Sequence, residues 1–406
     1  MTYETLRPCP ACGGHVAEQL HQQRFVLQEG HPLAGGYAVA LCATCGFVYA
    51  DTGASQRDYD RFYASFSKYE DAAHSTGSGE SEEDRGRLEG TARILEGFLP
   101  SREARILDIG CAAGGLLAAL QRRGYSQLTG IDPSPACVHH TRAKTGAAFQ
   151  GSLTKLPAGM GPFHCVILNH VLEHVLDVSG ALSAARRLLE PGGILYVEVP
   201  DALRYADYVY APFQDFNTEH INHFSRHGLN STAARHGFSA IGGGGRLLHA
   251  SPDTFTPAVY GIYRHTGAPC LFAQDRALRP AILRYIERSA ALLREIDSRI
   301  AEAVDGSPEL LVWGAGQLTL KLLSDSSLAR ARVAAFIDSN PIHQGRRLAG
   351  APILAPQELA AYSQPILVGT LLHHKQILAQ IRALRLSNRI ILLPEGGPKF
   401  YGEAQG

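Results

Sequence analysis

Between residues 105 and 199, short apolar runs alternate with stretches whose apolar positions recur every three or four residues. Runs at 105–110, 128–131, 148–150, 163–168 and 193–199 predict strands; stretches at 116–123, 135–145 and 178–189 predict helices. Residues 88–99 (LEGTARILEGFL) carry helical spacing in front of them. This alternation predicts α/β architecture with a parallel, doubly wound sheet. It returns later as strands at 310–313, 333–337, 366–368 and 390–393 with helices at 318–323 and 375–384. A long amphipathic helix is predicted over 275–304, with Leu283, Ile286, Ala290, Leu293 and Ile296 on one stripe.

Two stretches are less regular. Residues 226–238 read as a helix stopped at Gly237, and the four glycines at 242–245 read as a loop. Ahead of the main alternation, DYDRFYASFSKYE reads as a short helix and ordered lid, and STGSGESEEDRGR as a mobile polar stretch. The expected organisation is an N-terminal module over 1–55, a lid over 56–89, an α/β domain over 90–260, a helical link over 261–304 and a second α/β domain over 305–406.

Charge narrows the function classes. The 406 residues hold 38 Lys+Arg against 38 Asp+Glu, a formal net charge of zero. With no excess of cations to meet phosphates, neither a nucleic-acid partner nor an anionic membrane surface is expected. No run of 18 apolar residues is present, and the N-terminus has no basic head with an apolar stretch behind it, so a cytoplasmic protein is expected.

Four of the eight cysteines form two Cys-x-x-Cys pairs, Cys9 with Cys12 and Cys42 with Cys45, each followed by glycine. Tight turns that aim two thiolates at one point, taken twice, predict a closed four-thiolate structural Zn2+ site. Cys111, Cys137, Cys165 and Cys270 sit among apolar residues and read as buried small hydrophobes.

The sharpest motif is the strand ILDIG at 106–110, followed by CAAGG and a helix. Gly110 and Gly114 permit a tight turn against a ligand. A dinucleotide site wants G-x-G-x-x-G with pyrophosphate at the helix start. Here the pattern is D-x-G-x-x-x-G, and Asp108 in the turn suits a cationic ligand. Asp132, followed by Pro133 at the end of the next strand, is placed to take ribose hydroxyls.

LDIGCAAGG resembles the glycine loop of class I methyltransferases. The resemblance covers about residues 90–200 and implies a Rossmann-like domain binding S-adenosylmethionine, with S-adenosylhomocysteine as product. It implies cofactor contacts from Asp108, Gly110, Gly114, Asp132 and Pro133, adenine contacts from Ser152 and Leu153, and contacts to the methionine part from Asn169 and His170. The segment His170-Val-Leu-Glu173-His174 also fits the metallopeptidase pattern H-x-x-E-H, but the sequence offers no third ligand with supporting context.

Proton-transfer chemistry is concentrated in FNTEHINHFS at 216–225. His220 is suited to proton removal near neutral pH, and Glu219 could orient it. Asn222 and His223 are further substrate-contact candidates; the alternative is a polar loop whose histidines cap a helix starting at Ser225. The three-part order of a four-cysteine module, a methyltransferase domain with E-H-x-x-x-F-S, and a C-terminal α/β domain resembles the sugar C-methyltransferases of deoxysugar pathways. This implies natural-product biosynthesis and a nucleotide-linked keto sugar as small-molecule acceptor. It also implies His220 as base, Glu219 and His174 as catalytic partners, and Tyr69 as a substrate contact. Asn217 stands where the family carries a tyrosine, which also leaves O-methylation of another small polar metabolite open; a binding protein with a degenerate pocket is a third reading. In the second α/β domain, Gly314-Ala-Gly316 with Asp338 is an incomplete dinucleotide motif, read as a platform for the acceptor's nucleotide or as a purely structural lobe. A monomer or weak homodimer is expected.

Overall fold

A computed structural model describes residues 2–66, 77–267 and 273–394. Tyr69 and Cys270 lie outside the described residues. The chain divides into two compact units: Met1–Gln23 with Gly30–Leu203 and Thr218–Pro280 forms the first, and Arg24–Glu29 with Arg204–Asn217 and Ala281–Gly406 the second.

The first unit opens with β1 (Thr2–Glu4), β2 (Val16–Arg24), β3 (Gly36–Cys42) and β4 (Val48–Asp51), then helices α1 (Gln56–Ser65) and α2 (Glu82–Glu96). Helix α2 starts earlier than apolar spacing predicts. Its first turn is polar but well capped: Ser81 accepts from the Asp84 amide, and Glu82, Glu83 and Asp84 sit at the positive end of the helix. Part of the stretch expected to be mobile is therefore regular structure.

The main alternation runs β5 (Ile106–Ile109), α3 (Gly115–Arg122), β6 (Leu128–Asp132), α4 (Pro135–Thr145), β7 (Ala148–Gln150), β8 (Phe163–Asn169), α5 (Val178–Leu188) and β9 (Leu189–Pro200). After β10 (Asn222–His223) and α6 (Arg226–Arg235) come β11 (Phe238–Ser251) and β12 (Thr254–His265). The seven-stranded sheet has the order β11-β12-β9-β8-β5-β6-β7. Strands β5 to β9 are parallel, as the alternation predicts, and β12 is antiparallel to β9.

The glycines at 242–245 are a correction to the loop expectation, because they lie inside β11. A Cβ at Gly242 would come within 2.7 Å of the Phe98 ring, and one at Gly243 within 2.7 Å of the Tyr260 carbonyl oxygen. The run is a strand stripped of side chains where an aromatic ring and a neighbouring strand crowd it. Apolar clusters fill both faces of the sheet, one around Leu107, Ile131, Val166 and Val197, the other around Ile106, Leu117, Ile167 and Tyr196.

The N-terminal strands form a sheet of order β1-β2-β3-β4-β10, so the two-residue β10 from far along the chain closes its edge against β4.

The second unit takes in most of α7 (Leu278–Asp305), then β13 (Leu310–Trp313), α8 (Gln317–Asp325), β14 (Val333–Ile337), β15 (Arg347–Leu348), β16 (Ala351–Leu354), β17 (Ile366–Val368), α9 (His374–Ala383) and β18 (Ile390–Leu392). Its sheet order is β15-β16-β14-β13-β17-β18. Its first loop repeats a latch seen in the first unit. The Ala112 amide donates to Asp132 Oδ2 at 2.9 Å and the Ser134 amide to Oδ1 at 2.9 Å. The Ala315 amide donates to Asp338 Oδ2 at 2.8 Å and the Asn340 amide to Oδ1 at 2.8 Å. Among the described residues, no helix is long and apolar enough to cross a membrane.

Candidate active site

Strand β5 has β6 on one side and β8 on the other, so the sheet reverses direction of growth between β5 and β8. In open α/β sheets, ligands bind beyond the carboxyl ends of the strands at such a reversal. The chain places Asp108 and Gly110 at one of those ends and Asn169 and His170 at the other.

Gly110 and Gly114 have φ of +77° and +79°. A Cβ at Gly110 would meet Val171 Cγ2 at 2.7 Å, and one at Gly114 would meet Thr141 Oγ1 at 2.9 Å. Both the left-handed backbone and the close packing therefore demand glycine. The start of α3 is already occupied, because the Gly115 amide donates to the Gly77 carbonyl at 3.0 Å. That carbonyl is fixed by Asp84, whose Oδ2 accepts from the Gly77 and Gly79 amides at 2.9 and 2.7 Å. An acceptor seated on the helix start disfavours pyrophosphate there.

Asp108 is 2% exposed, and its Oδ1 is a buried oxygen with no hydrogen-bond partner. Burial, then the nearby Asp132 charge, push its pKa up to about 7 against the opposing Arg87. A buried carboxyl with one unpartnered oxygen at a glycine bend is costly until a donor or cation meets it. The residues here fit the amino group at the methionine end of S-adenosylmethionine. Arg87, held to Asp84 at 2.6 Å, is a contributor that sequence spacing did not single out.

The other predicted contacts are distributed as follows. Pro133 follows the latch residue Asp132, and its carbonyl accepts from Gln150 Nε2 at 3.1 Å. Ser152 shares a hydrogen bond of 2.9 Å with Thr154, and Leu153 is buried. Asn169 Oδ1 is a second buried oxygen without a hydrogen-bond partner.

His170 has φ of +56°, an unusual conformation for a residue with a side chain. Its Nδ1 donates to Glu173 Oε1 at 3.0 Å, and its Nε2 faces Glu198 Oε1 at 3.4 Å. Burial alone would lower its pKa, but Glu173 and then Glu198 override that and raise it to about 9. Glu198 is fully buried, and its Oε2 accepts from Tyr196 at 2.6 Å and Arg246 at 2.7 Å. Arg246 also donates to Thr91 Oγ1 at 2.7 Å and the Arg87 carbonyl at 3.1 Å. The resulting chain, Arg246–Glu198–His170–Glu173, alternates sign, which is how charges survive burial. A lone acid inside the apolar run LYVEVP was the available sequence signal for Glu198; nothing local marked Arg246 as its partner.

Glu173 Oε1 is 3.9 Å from His174 Nε2. His174 Nδ1 donates to the Glu219 carbonyl at 3.0 Å, and its ring lies 4.9 Å, centroid to centroid, from that of His220. The fold thus gathers His174, Glu219 and His220. Tyr63 of α1 also lies beside His174, with ring centroids 6.2 Å apart.

Asn222 and His223, expected as substrate contacts, are both buried. Asn222 Nδ2 donates to the Leu172 and Val175 carbonyls at 2.8 and 2.7 Å, and its Oδ1 accepts from Arg7 at 3.1 Å. His223 is fully buried, and burial and then Arg7 hold its pKa down at about 3. Both belong to β10 and pack the edge of the N-terminal sheet. Ser225 itself caps α6, by accepting from the Gly228 amide at 2.8 Å, where the alternative reading expects histidines to cap. Asn217 belongs to the second unit, where its Nδ2 donates to the Gln214 carbonyl at 3.1 Å.

Cys9, Cys12, Cys42 and Cys45 converge, with Sγ atoms 3.6 Å apart for Cys9–Cys45 and 3.4 Å for Cys12–Cys42. Contacts with Cys12, then Cys45 and Cys9, draw the Cys42 thiol far down, while contacts with Cys12, Cys42 and Cys9 push Cys45 far up. Four sulfurs this close cannot all ionise without a cation among them, and the donor set fits a tetrahedral thiophilic ion.

Residues 83–241 match a family described as a methyltransferase domain. A 116-residue stretch is 37% identical to a ubiquinone biosynthesis O-methyltransferase of Methylocella silvestris, covering 27% of this chain and 45% of that one. A protein of the same description from Cereibacter sphaeroides is 35% identical over 109 residues, 25% of this chain and 44% of that one. The chain spans less than half the length of these relatives. Among solved structures, a Burkholderia thailandensis 1,6-didemethyltoxoflavin-N1-methyltransferase with bound 1,6-didemethyltoxoflavin and S-adenosylhomocysteine covers 55% of this chain and 96% of its own, at 18% identity and a TM-score of 0.40. An S-adenosylmethionine dependent methyltransferase from Mesorhizobium loti covers 44% and 99%, at 20% identity and a TM-score of 0.37.

Proposed function

From the premise that residues 83–241 are a methyltransferase domain of Rossmann-like class I fold, we propose that this chain transfers a methyl group from S-adenosylmethionine to a small polar acceptor, with His220 taking the acceptor's proton. The observation that carries this reading is the buried Asp108 carboxyl, with Oδ1 unpartnered, beside a bend that admits only glycine. When bound, S-adenosylmethionine supplies an already activated methyl carbon. The residues of the chain then hold the cofactor and move a proton. Asp108 and Arg87 hold the charged amino-acid end, Asp132 takes the ribose, and Asn169 borders the methionine part. His220 accepts a proton at an imidazole nitrogen, and His174 and Glu219 hold it in place. A structural Zn2+ in the four-cysteine cluster fixes the sheet on which β10, two residues after His220, is paired.

For the acceptor, the Glu219-His220 pair within E-H-x-x-x-F-S supports carbon methylation of a nucleotide-linked keto sugar, where the base must remove a proton beside a carbonyl. O-methylation is the second reading. It draws on the O-methyltransferase name of the relatives and on Asn217, which cannot supply the phenol that the sugar-methylating family carries.

Calorimetry with S-adenosylhomocysteine tests the common part: micromolar binding is expected, and its absence would leave a binding protein with a degenerate pocket. Deuterium exchange from solvent into a nucleotide-linked keto sugar, without cofactor, supports carbon chemistry; an acceptor methylated at oxygen, without such exchange, selects the second reading.

A further inference from the structure

The H-x-x-E-H segment lacked a third ligand in the sequence, and the fold supplies one from 46 residues beyond His174. Glu173, His174 and His220 each present one donor atom, and the three atoms lie within 4.8 Å of one another. The first histidine of the pattern is not part of this group, because His170 is engaged by Glu173 and Glu198.

Two features prepare these donors for an ion. Glu173 is 1% exposed, and its Oε2 is buried without a hydrogen-bond partner, an arrangement that asks for a donor or a cation. His174 gives its Nδ1–H to a backbone carbonyl, Glu219 O at 3.0 Å, so the lone pair is on Nε2, which faces Glu173. Histidines that ligate metals are oriented by this kind of second hydrogen bond. Ligand bonds of about 2.0–2.2 Å need the three donors to draw together by about 1 Å, within reach of side-chain rotation.

We propose that Glu173, His174 and His220 form a second metal site, distinct from the four-cysteine cluster, that takes a borderline divalent cation of the Zn2+ or Co2+ kind and that occupancy of this site inhibits methyl transfer. Two imidazoles and one carboxylate favour such ions over Mg2+ or Ca2+, which prefer all-oxygen shells. An ion here occupies the His220 lone pair, so His220 no longer accepts a proton. The binding half stands on the side chains alone, and the inhibition half rests on the proposed role of His220 as base.

The test uses the full-length protein dialysed against excess Zn2+ and analysed for bound metal, with Co2+ substitution read by absorption. Two ions per chain are expected. In the Co2+ protein the first gives intense sulfur-to-metal charge-transfer bands, and the second only weak bands without sulfur character. Glu173→Gln and His220→Asn should each reduce binding to one ion while still binding S-adenosylhomocysteine, which shows the domain is folded. Excess Zn2+ should lower turnover at least tenfold, reversed by a chelator mild enough to leave one ion per chain. One ion per chain in the wild type under excess Zn2+, or two in both variants, overturns the site. A second ion that binds and is lost in the variants, with no methyl transfer to any acceptor, keeps the site and overturns the methyltransferase reading. Measurable transfer that a bound second ion leaves unchanged overturns the inhibition.

Discussion

His174 hands its Nδ1–H to the carbonyl oxygen of Glu219 across 3.0 Å, and this bond ties the turn after β8 to the residue in front of His220. A carbonyl oxygen can only accept, so the bond fixes the tautomer of His174 and its ring orientation. It also sets the separation of 4.9 Å between the two imidazole centroids. The candidate base is therefore positioned from two sides, by His174 and by the pairing of Asn222 and His223 with Tyr49 and Val48.

His220→Asn and His220→Ala should lower methyl transfer by roughly 100-fold or more, the usual scale of a lost general base. Affinity for S-adenosylhomocysteine should stay within about threefold, about 0.65 kcal/mol. Turnover close to wild type in both variants would remove His220 from the mechanism.

Asp108→Asn should weaken S-adenosylhomocysteine binding by about tenfold or more, since a charged group loses its counter-charge. Its effect on the ligand-free protein runs the other way. Burial and then Asp132 raise the folded-state value to about 7, above the ordinary value near 3.9. The stability linked to this group is complete below about pH 4 and is lost as pH rises through about 7. Wild type should therefore lose stability relative to Asp108→Asn across that window, by roughly 2–4 kcal/mol. Thermal melts of both proteins from pH 4.5 to 8 measure the difference, and a constant offset would contradict the assignment.

His170 gives the complementary slope at higher pH. Glu173 and Glu198 raise it to about 9 in spite of its burial. As a raised base, it contributes stability that is complete below about pH 6.5 and lost as pH rises through about 9. His170→Gln should flatten the fall in melting temperature between pH 6.5 and 9.5. Nitrogen-15 chemical shifts of the imidazole should still report a doubly protonated ring at pH 8.

Cys42→Ser, or removal of the ion from the four-cysteine cluster, should loosen the β4–β10 edge. The expected result is a lower melting temperature and a turnover reduced about 10–100-fold, the scale at which outer supports of a site act. S-adenosylhomocysteine affinity should change little, because the glycine bend is built on β5 and β6. A loss of cofactor affinity as large as the loss of turnover would mean that the cluster supports the whole domain.

Much of this molecule was legible in the order of its residues. Alternating apolar runs placed β5 to β9 and their helices within a few positions, because strand and helix periodicities are local properties of side-chain direction. The glycine bend with Asp108 was legible for the same reason, as turn, acid and helix start are neighbours in the chain. The convergence of the four cysteines was legible because each Cys-x-x-Cys turn aims two thiols at one point. The glycines of β11 were misread as a loop because the Phe98 ring and the Tyr260 carbonyl that exclude side chains there lie far away in sequence. The Arg246–Glu198–His170–Glu173 chain was invisible for the same reason: a buried charge is tolerated only by partners that folding delivers. Sequence alone also could not separate Asn222 and His223 from His220, all within four consecutive residues of one polar loop. Tertiary structure separated them, since pairing with β4 buries two of these side chains and leaves the third beside His174. Local chemistry thus follows from local order, while the use made of each polar group depends on which distant surfaces take it out of water.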